Sequence, residues 1–326
     1  MKILVTGAAG FIASGLVHKL AEQGHDVHAM VRNINKAQHL QHPNVQLFNG
    51  DINDVDSIQA AVKGCEQVYH IAAYARMWAK DRNEFFKVNL EGTKNMLNAA
   101  VQNGVSKFVF TSSTGVLGAT AGKVMTEADP RTSEFDNDYE YSKHLAEEEV
   151  RKFAAEGFNA VIVNPSRVYG PGPLSYSNAV SKMIIQALKG KRVVVPGGNA
   201  VGNYAFVHDV IDGHIKAMEK GVSGERYILG GENISYLEFL DVAKNQLGEF
   251  KSLRLSLPVM KLAGNIELLR AKLTNTFPAI TPKMLGRYFV DATYSTKKAE
   301  NEIGYVVTPF SEGIAQTIQY IRQNLL

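Results

Sequence analysis

The chain has a single cysteine, Cys65, among 326 residues. An intramolecular disulfide is therefore excluded, and a reducing, cytoplasmic compartment is the expectation. Cys65 lies between Gly64 and Glu66, a context that suggests a turn entering a strand, so it is expected to be structural rather than nucleophilic. Long apolar runs are equally scarce. No stretch reaches the length a bilayer requires, and no membrane partner is expected. Basic runs are missing too. With 35 Lys and Arg against 32 Asp and Glu, the net charge is only +3, which argues against a surface that tracks nucleic-acid phosphates. No leader is expected, because Met1-Lys2 runs directly into the apolar Ile3-Leu4-Val5. No metal site is predicted.

What remains is a globular composition, 45% hydrophobic and 21% charged, which argues against disorder. The length suits a large α/β domain carrying a smaller lobe. Short apolar runs at Lys2–Thr6, Asp26–Val31, Val45–Phe48, Gln67–Ile71, Lys107–Thr111 and Ala160–Val163 read as strands buried on both faces. Between them, Phe11–Gln23, Val55–Lys63, Arg82–Asn103 and Asn137–Glu156 read as helices, each followed by a glycine (Gly24, Gly64, Gly104, Gly157) suited to a left-handed C-terminal cap. This alternation predicts a doubly wound parallel sheet. After Pro165 the rhythm loosens. Gly170-Pro171-Gly172-Pro173 and Pro196-Gly197-Gly198 are breakers. Helical patterns return at Ser177–Lys189, Asp209–Lys220, Ser235–Leu247, Pro258–Lys272 and Pro309–Asn324. The expected division is a sheet domain over residues 1–170 and a smaller, mixed α/β substrate lobe over 171–326, with segments around 192–229 rejoining the sheet.

The first strand runs into Thr6-Gly7-Ala8-Ala9-Gly10-Phe11-Ile12-Ala13 and then a helix. Glycines at 7 and 10 allow a tight turn and close approach of the backbone to a pyrophosphate at the helix's positive end. Thr6, Gly7, Ala9, Gly10, Phe11 and Ile12 are therefore candidate dinucleotide contacts. An acidic residue ending the second strand would accept bonds from both ribose hydroxyls and favour NAD(H). No Asp or Glu follows that strand until Asp51. Arg32 stands there instead, a cationic fork suited to a 2′-phosphate, and the expected cofactor is NADP(H). The plainer alternative is a solvated loop arginine.

Strand five ends Thr111-Ser112-Ser113, placing hydroxyls at a carboxyl edge, where open α/β sheets bind ligands. Thr111 is a candidate cofactor contact, and Ser113 a candidate donor to a substrate oxygen. Tyr139 and Lys143 lie four apart and share a helix face; Tyr141 points elsewhere. Hydride reduction of a carbonyl leaves an alkoxide that must take a proton. An unperturbed phenol has a pKa of about 10, and a neighbouring lysine ammonium together with an oxidised nicotinamide favours phenolate.

These motifs resemble the extended short-chain dehydrogenase/reductase, or NAD-dependent epimerase/dehydratase, family. Ala13 at the third small position is familiar from its branch of dihydroflavonol and cinnamoyl-CoA reductases. The resemblance runs from residue 2 to near the C-terminus, through Pro165-Ser166-Arg167-Val168-Tyr169-Gly170-Pro171, Phe206-Val207-His208-Asp209-Val210 and Glu302-Ile303-Gly304-Tyr305. It implies a Rossmann fold and catalysis by Ser113, Tyr139 and Lys143. It also implies adenine contacts from Asp51 and Ile52, pyrophosphate contacts from Ala72 and Ala73, and a cofactor-contacting Asn89. Pro165, Arg167 and Val168 would lie along the nicotinamide, with Tyr139 and Lys143 also touching the cofactor. The resemblance is compatible with a homodimer pairing through helices 82–103 and 137–156.

The family spans several reactions on one fold, and fold does not choose among them. Dehydratases follow the strand-five threonine with Asp-Glu, where this chain has Ser112-Ser113. Sugar-nucleotide enzymes carry an Arg-Asp pair shortly before the Val-His-Asp motif, where this chain reads Gly202-Asn203-Tyr204-Ala205-Phe206; Arg167, Lys182, Arg192 and Arg254 are possible substitutes. Tyr74, Trp78, Ser113, Tyr204 and the 175–178 segment are candidate substrate contacts, with Trp78 as a plain surface or dimer residue the alternative. The expected activity is NADPH-dependent reduction of a ketone or aldehyde. The alternatives are a nucleotide-sugar epimerase that retains NAD(P), resembling hopanoid-associated sugar epimerases, and a non-catalytic NADP(H)-binding regulator.

Overall fold

A computed structural model describes residues 1–76, 78–120, 122–174 and 178–326. The strands are β1 (Lys2–Thr6), β2 (Asp26–Val31), β3 (Val45–Asn49), β4 (Gln67–His70), β5 (Lys107–Thr111), β6 (Ala160–Pro165), β7 (Arg167–Tyr169), β8 (Val193–Pro196), β9 (Val201–Phe206), β10 (Arg226–Leu229), β11 (Glu232–Ser235) and β12 (Ser252–Leu255). The helices are α1 (Phe11–Glu22), α2 (Val55–Val62), α3 (Asn83–Phe86), α4 (Gly92–Gln102), α5 (Asp138–Ala155), α6 (Ala179–Leu188), α7 (Val207–Lys220), α8 (Tyr236–Leu247), α9 (Leu257–Leu273), α10 (Pro282–Gly286), α11 (Lys297–Ile303) and α12 (Phe310–Asn324).

Seven strands form the large sheet in the order β10-β6-β5-β4-β1-β2-β3, and each neighbouring pair is parallel. Strand order reverses between β1 and β4, so a crevice opens at their carboxyl ends. Alternate side chains enter two cores. Ile3, Val5 and Val109 pack with Leu16 and Ile211, from α1 and α7. Leu4, Phe108 and Phe110 pack with Ile58, Leu97 and Ala146, from α2, α4 and α5. Gly24, Gly64, Gly104 and Gly157 take the expected positive φ.

The predicted single helix over 82–103 is interrupted. A π-helical stretch at Lys87–Glu91 separates α3 from α4. Such an insertion re-aims side chains and is frequent at functional sites. Here it carries Asn89.

Of the stretch 192–229, α7 packs on the large sheet through Val210 and Ile211, and β10 extends that sheet. The remainder, β8 and β9, belongs to the lobe, where β9 lies between β11 and β7 in one small sheet and β8 pairs with β12 in another. Tyr169, Phe239 and Phe310 centre the lobe's own core.

One buried carboxylate ties α5 to the sheet. Glu147 is fully buried and accepts from Asn164 Nδ2 of β6 at 2.6 Å. It also pairs with Arg151 at 3.0 Å and with Arg226 of β10 at 3.5 Å. Its removal strands two cations and an amide. Glu147→Ala is expected to lower the unfolding free energy by about 3 kcal/mol, read from urea denaturation.

Candidate active site

β1 ends against β4, and the glycine turn follows directly. Gly7 has φ +65, and a Cβ there would stand 2.8 Å from Ala72 Cα. The position therefore requires glycine for both conformation and space. Gly10 donates to the Gly7 carbonyl at 2.8 Å and opens α1, whose N-terminus takes no side-chain cap. Orphan backbone N–H groups at such an end suit an anion. Phe11 packs under Gly172, whose added Cβ would meet the ring at 2.9 Å, so the 170–173 breaker folds over this turn. Ala9 and Ile12 are half-buried against the core. Arg32 follows β2, exposed and with no ion-pair partner among the described residues. The residues present thus fit a dinucleotide phosphate.

Several other candidates are committed within the fold. Thr6 is buried and its Oγ1 accepts from the backbone N–H groups of Ile71 and Ala72, both at 3.1 Å. Its hydroxyl also lies 2.9 Å from His70 Nδ1. Thr93 donates to the Asn89 carbonyl at 2.7 Å, so it accepts from His70 Nε2 at 3.1 Å. These contacts assign His70 as the neutral Nε2–H tautomer, with Thr6 donating to Nδ1. Burial, aided by the Lys143 charge, pushes its pKa down to about 3. Asn89 is fully buried; its Oδ1 accepts from the Tyr74 backbone at 2.7 Å and its Nδ2 donates to Ser142 Oγ at 2.9 Å. Its visible role is to tie the loop after β4 to α5. Asp51 Oδ1 is engaged by Asn53, and Ile52 packs on Gly92. Ala73 is half-buried beside Ala72. Thr111 lies 2.9 Å from His214 Nε2; because His214 Nδ1 donates to the Val210 carbonyl, the Thr111 hydroxyl is the donor. Pro165 pairs with Leu229 across the β6–β10 edge, and Val168 packs on the main core.

The predicted catalytic residues lie along the contact between the end of β5 and α5. Ser113 follows β5, and its hydroxyl accepts from the Gly115 backbone at 3.1 Å and lies close enough to Tyr139 to lower that phenol's pKa. Tyr139 lies in the first turn of α5, which Asn137 caps by accepting from Glu140 N at 2.9 Å. Burial raises the Tyr139 pKa, opposed by the Ser113 hydrogen bond and the Arg287 charge. Among the protein's own groups the enclosure of the phenol outweighs these two, and Lys143 is not one of the groups that shift it. Lys143 is buried, with Nζ 3.9 Å from the Phe110 ring centroid. Burial lowers its pKa to about 7, opposed by Glu147. Tyr141 faces away, exposed, against Phe86 and Phe135.

Sequence reasoning missed the supports. Asn164 Nδ2 holds the Ser113 carbonyl at 3.1 Å as well as Glu147. Glu140, buried beside Tyr139, pairs with Arg131 at 3.2 Å and with Arg287 of the lobe at 2.5 Å. The Lys143/Glu147 spacing of four was the available signal for Glu147; Asn164 and His70 gave none.

The substrate candidates scatter. The Tyr74 ring stands edge-on to Phe85 at 5.0 Å. Trp78 meets Phe277 at 5.7 Å. Tyr204 is buried in the lobe. Arg167 turns into the same lobe: its Nη1 lies 3.2 Å from the Tyr236 hydroxyl and 3.4 Å from that of Tyr204, and its guanidinium is 5.6 Å from the Tyr288 ring centroid. A Cβ at Gly202 would stand 2.2 Å from that Nη1. Residues 175–177 and Met77 lie outside the described residues. Cys65 is buried and its thiol is pushed up to about 12 by burial, which suits a structural role. Among the described residues, no cluster of His, Cys, Asp and Glu is arranged to hold a metal.

Lys143 makes stability depend on pH with a defined sign. Its folded value near 7 lies below the unfolded value, so between the two the unfolded chain holds the extra proton and stability climbs with pH. Lys143→Met removes that slope. In urea unfolding the variant is expected to exceed the parent by a few kcal/mol near neutrality, and by far less at about pH 10.

Comparison with known proteins identifies the family. The model of the NAD dependent epimerase/dehydratase family matches residues 3–230. A putative dihydroflavonol 4-reductase of Synechocystis is 34% identical over 71% of this chain and 68% of its own. Sterol demethylase protein B of Methylococcus capsulatus is 31% identical over 99% of both. Among solved structures, gox2253 superposes with a TM-score of 0.80 at 31% identity, covering 99% of this chain and 98% of its own. The Thermotoga maritima UDP-glucose 4-epimerase, solved with UDP-glucose, shares the fold at a TM-score of 0.83 and 24% identity over the whole of both chains. With its glycine turn, its Ser-Tyr-Lys group and these likenesses, the chain belongs to the NAD dependent epimerase/dehydratase family.

Proposed function

We propose that the protein is an NADPH-dependent reductase of a ketone or aldehyde, with Tyr139 as the proton donor. The observation that carries this reading is a half-buried phenol in the first turn of α5, close to Ser113 at the carboxyl edge of the parallel sheet, whose surroundings hold its pKa above the ordinary value. When bound, the nicotinamide cofactor would supply the hydride. The chain's own residues supply the rest. A phenol that keeps its proton at neutral pH can deliver it to an oxygen as negative charge develops. Ser113 offers a hydroxyl to the same oxygen. Lys143 holds a charge that burial has made easy to give up, and so can restore a proton at the phenol between turnovers. Arg32, exposed at the end of β2, supports the choice of NADPH.

One observation favours a second reading, a nucleotide-sugar epimerase that retains its cofactor. The Gly202–Phe206 stretch carries no cation of its own, but the Arg167 guanidinium lies against Gly202 and Tyr204, where it can serve an anionic substrate group.

A carbonyl panel separates the two. A reductase consumes NADPH in proportion to carbonyl added; an epimerase interconverts sugars with no net change in nicotinamide absorbance. Tyr139→Phe is expected to abolish reduction while leaving NADPH binding intact, and near-normal turnover would remove Tyr139 from the chemistry. Arg32→Asp is expected to weaken NADPH about tenfold or more relative to NADH, by loss of a charge-assisted contact. An unchanged preference in fluorescence titration would reject the 2′-phosphate assignment.

A further inference from the structure

Helix α9 has two apolar faces, and the protein uses one of them. Met260, Gly264 and Ala271 are buried. Gly264 allows the close contact with α10, since a Cβ there would stand 2.9 Å from Pro282 N. On the opposite face Val259, Leu262, Ile266, Leu269 and Leu273 are exposed, from 48% for Val259 to 78% for Leu273. Their spacings of three, four, three and four residues keep them within about 80° of arc, in a stripe about 21 Å long. Phe277, just beyond the helix, is exposed as well. A contiguous apolar patch of this kind marks an interaction site.

Charge identifies the occupant. Lys272 lies on one side of the stripe and Arg270 on the other, with Lys261 further round the helix on the Lys272 side. Glu267 is the helix's only acid, and it is engaged by Arg270 at 2.6 Å. Lys261 and Lys272 have no ion pair among the described residues. A second copy packed on the stripe would bring the same cations to the seam with no free carboxylate of α9 to meet them. An anionic lipid surface satisfies both features, taking the leucines into the acyl boundary and the lysines at the headgroups.

We infer that α9 is an interfacial helix that docks the protein on anionic membranes. No described helix is long and apolar enough to cross a bilayer. The expectation of no membrane partner rested on the lack of a spanning segment, and a helix lying in the interface needs none. The inference does not depend on the reaction catalysed.

Vesicle sedimentation tests it with the whole chain. The protein is expected to pellet with phosphatidylcholine vesicles containing phosphatidylglycerol and, far less, with phosphatidylcholine alone, the difference shrinking as salt rises. The triple variant Leu262→Gln/Ile266→Gln/Leu269→Gln is expected to lose about tenfold or more in partitioning to the anionic vesicles. Leu273→Gln, at the exposed end of the helix, is expected to move it the same way with no packing at risk. Lys261→Gln/Lys272→Gln is expected to bring binding down to the level on neutral vesicles. Circular dichroism and urea midpoints confirm that the variants fold. A parent protein that stays in the supernatant with anionic vesicles overturns the inference, as does undiminished binding by Leu273→Gln or the folded triple variant. Stripe-dependent dimerisation in sedimentation velocity, without vesicle binding, assigns the face to a second copy instead.

Discussion

Burying the Lys143 amine between α5 and the Phe110 ring is the constraint around which the rest of the site is arranged. A cation taken out of water must be compensated or lose its proton, and here both happen in part: the amine falls to a pKa of about 7, and Glu147, one turn further along α5, opposes the fall. Glu147 is then itself a buried charge, so it recruits Asn164, Arg151 and Arg226. Asn164 spends its remaining donor capacity on the Ser113 carbonyl. Compensation of one charge thus reaches the serine at the end of β5. A helix residue and a strand-end residue, 30 positions apart in sequence, are held by one carboxylate and one amide.

A second network does the same for the glycine turn after β1. Thr6, His70, Thr93 and Asn89 form a continuous hydrogen-bonded chain from the end of β1 to Ser142, next to Lys143. Each member is buried, and each donor and acceptor assigned along it has a partner, so the chain is rigid rather than strained. The π-helical stretch has a role in it: it places Asn89 where one amide bonds both the backbone of Tyr74 and the side chain of Ser142. The glycine turn and α5 are therefore held by the same side chains.

The sequence made the large sheet and its helices legible because buried parallel strands are short apolar runs and their helices end in glycines with positive φ. It could not show the π insertion, since nothing in Lys87–Glu91 departs from an α-helical pattern. Within the site, the spacing predicts that Tyr139 and Lys143 share a face of α5, and the structure sets that helix against the end of β5, with Lys143 on Phe110 and Tyr139 near Ser113. The roles of Thr6, Asn89 and Thr111 were not legible, because a hydroxyl or amide at a strand end or on a central helix serves the fold and a ligand equally well until its partners are known. Arg167 shows the same limit: its position in the loop after β6 says nothing of its direction, and the guanidinium enters the lobe among three tyrosines. Helix α9 shows a different limit. Both of its faces are apolar, so pattern alone marks it as buried, and only the fold reveals which face stays open.

Arginines also explain how the two lobes act on one phenol. The first turn of α5 carries Asp138 and Glu140, acids that suit a helix N-terminus. Left alone, Glu140 would raise the neighbouring Tyr139 further, in the same direction as burial. Arg131 neutralises it from the sheet domain and Arg287 from the lobe, while Arg82 takes Asp138. Arg287 does more than neutralise, because its own charge pulls the Tyr139 pKa down. The lobe therefore contributes a charge to the surroundings of Tyr139. The acidity of the Tyr139 phenol depends in turn on that lobe being packed against α5.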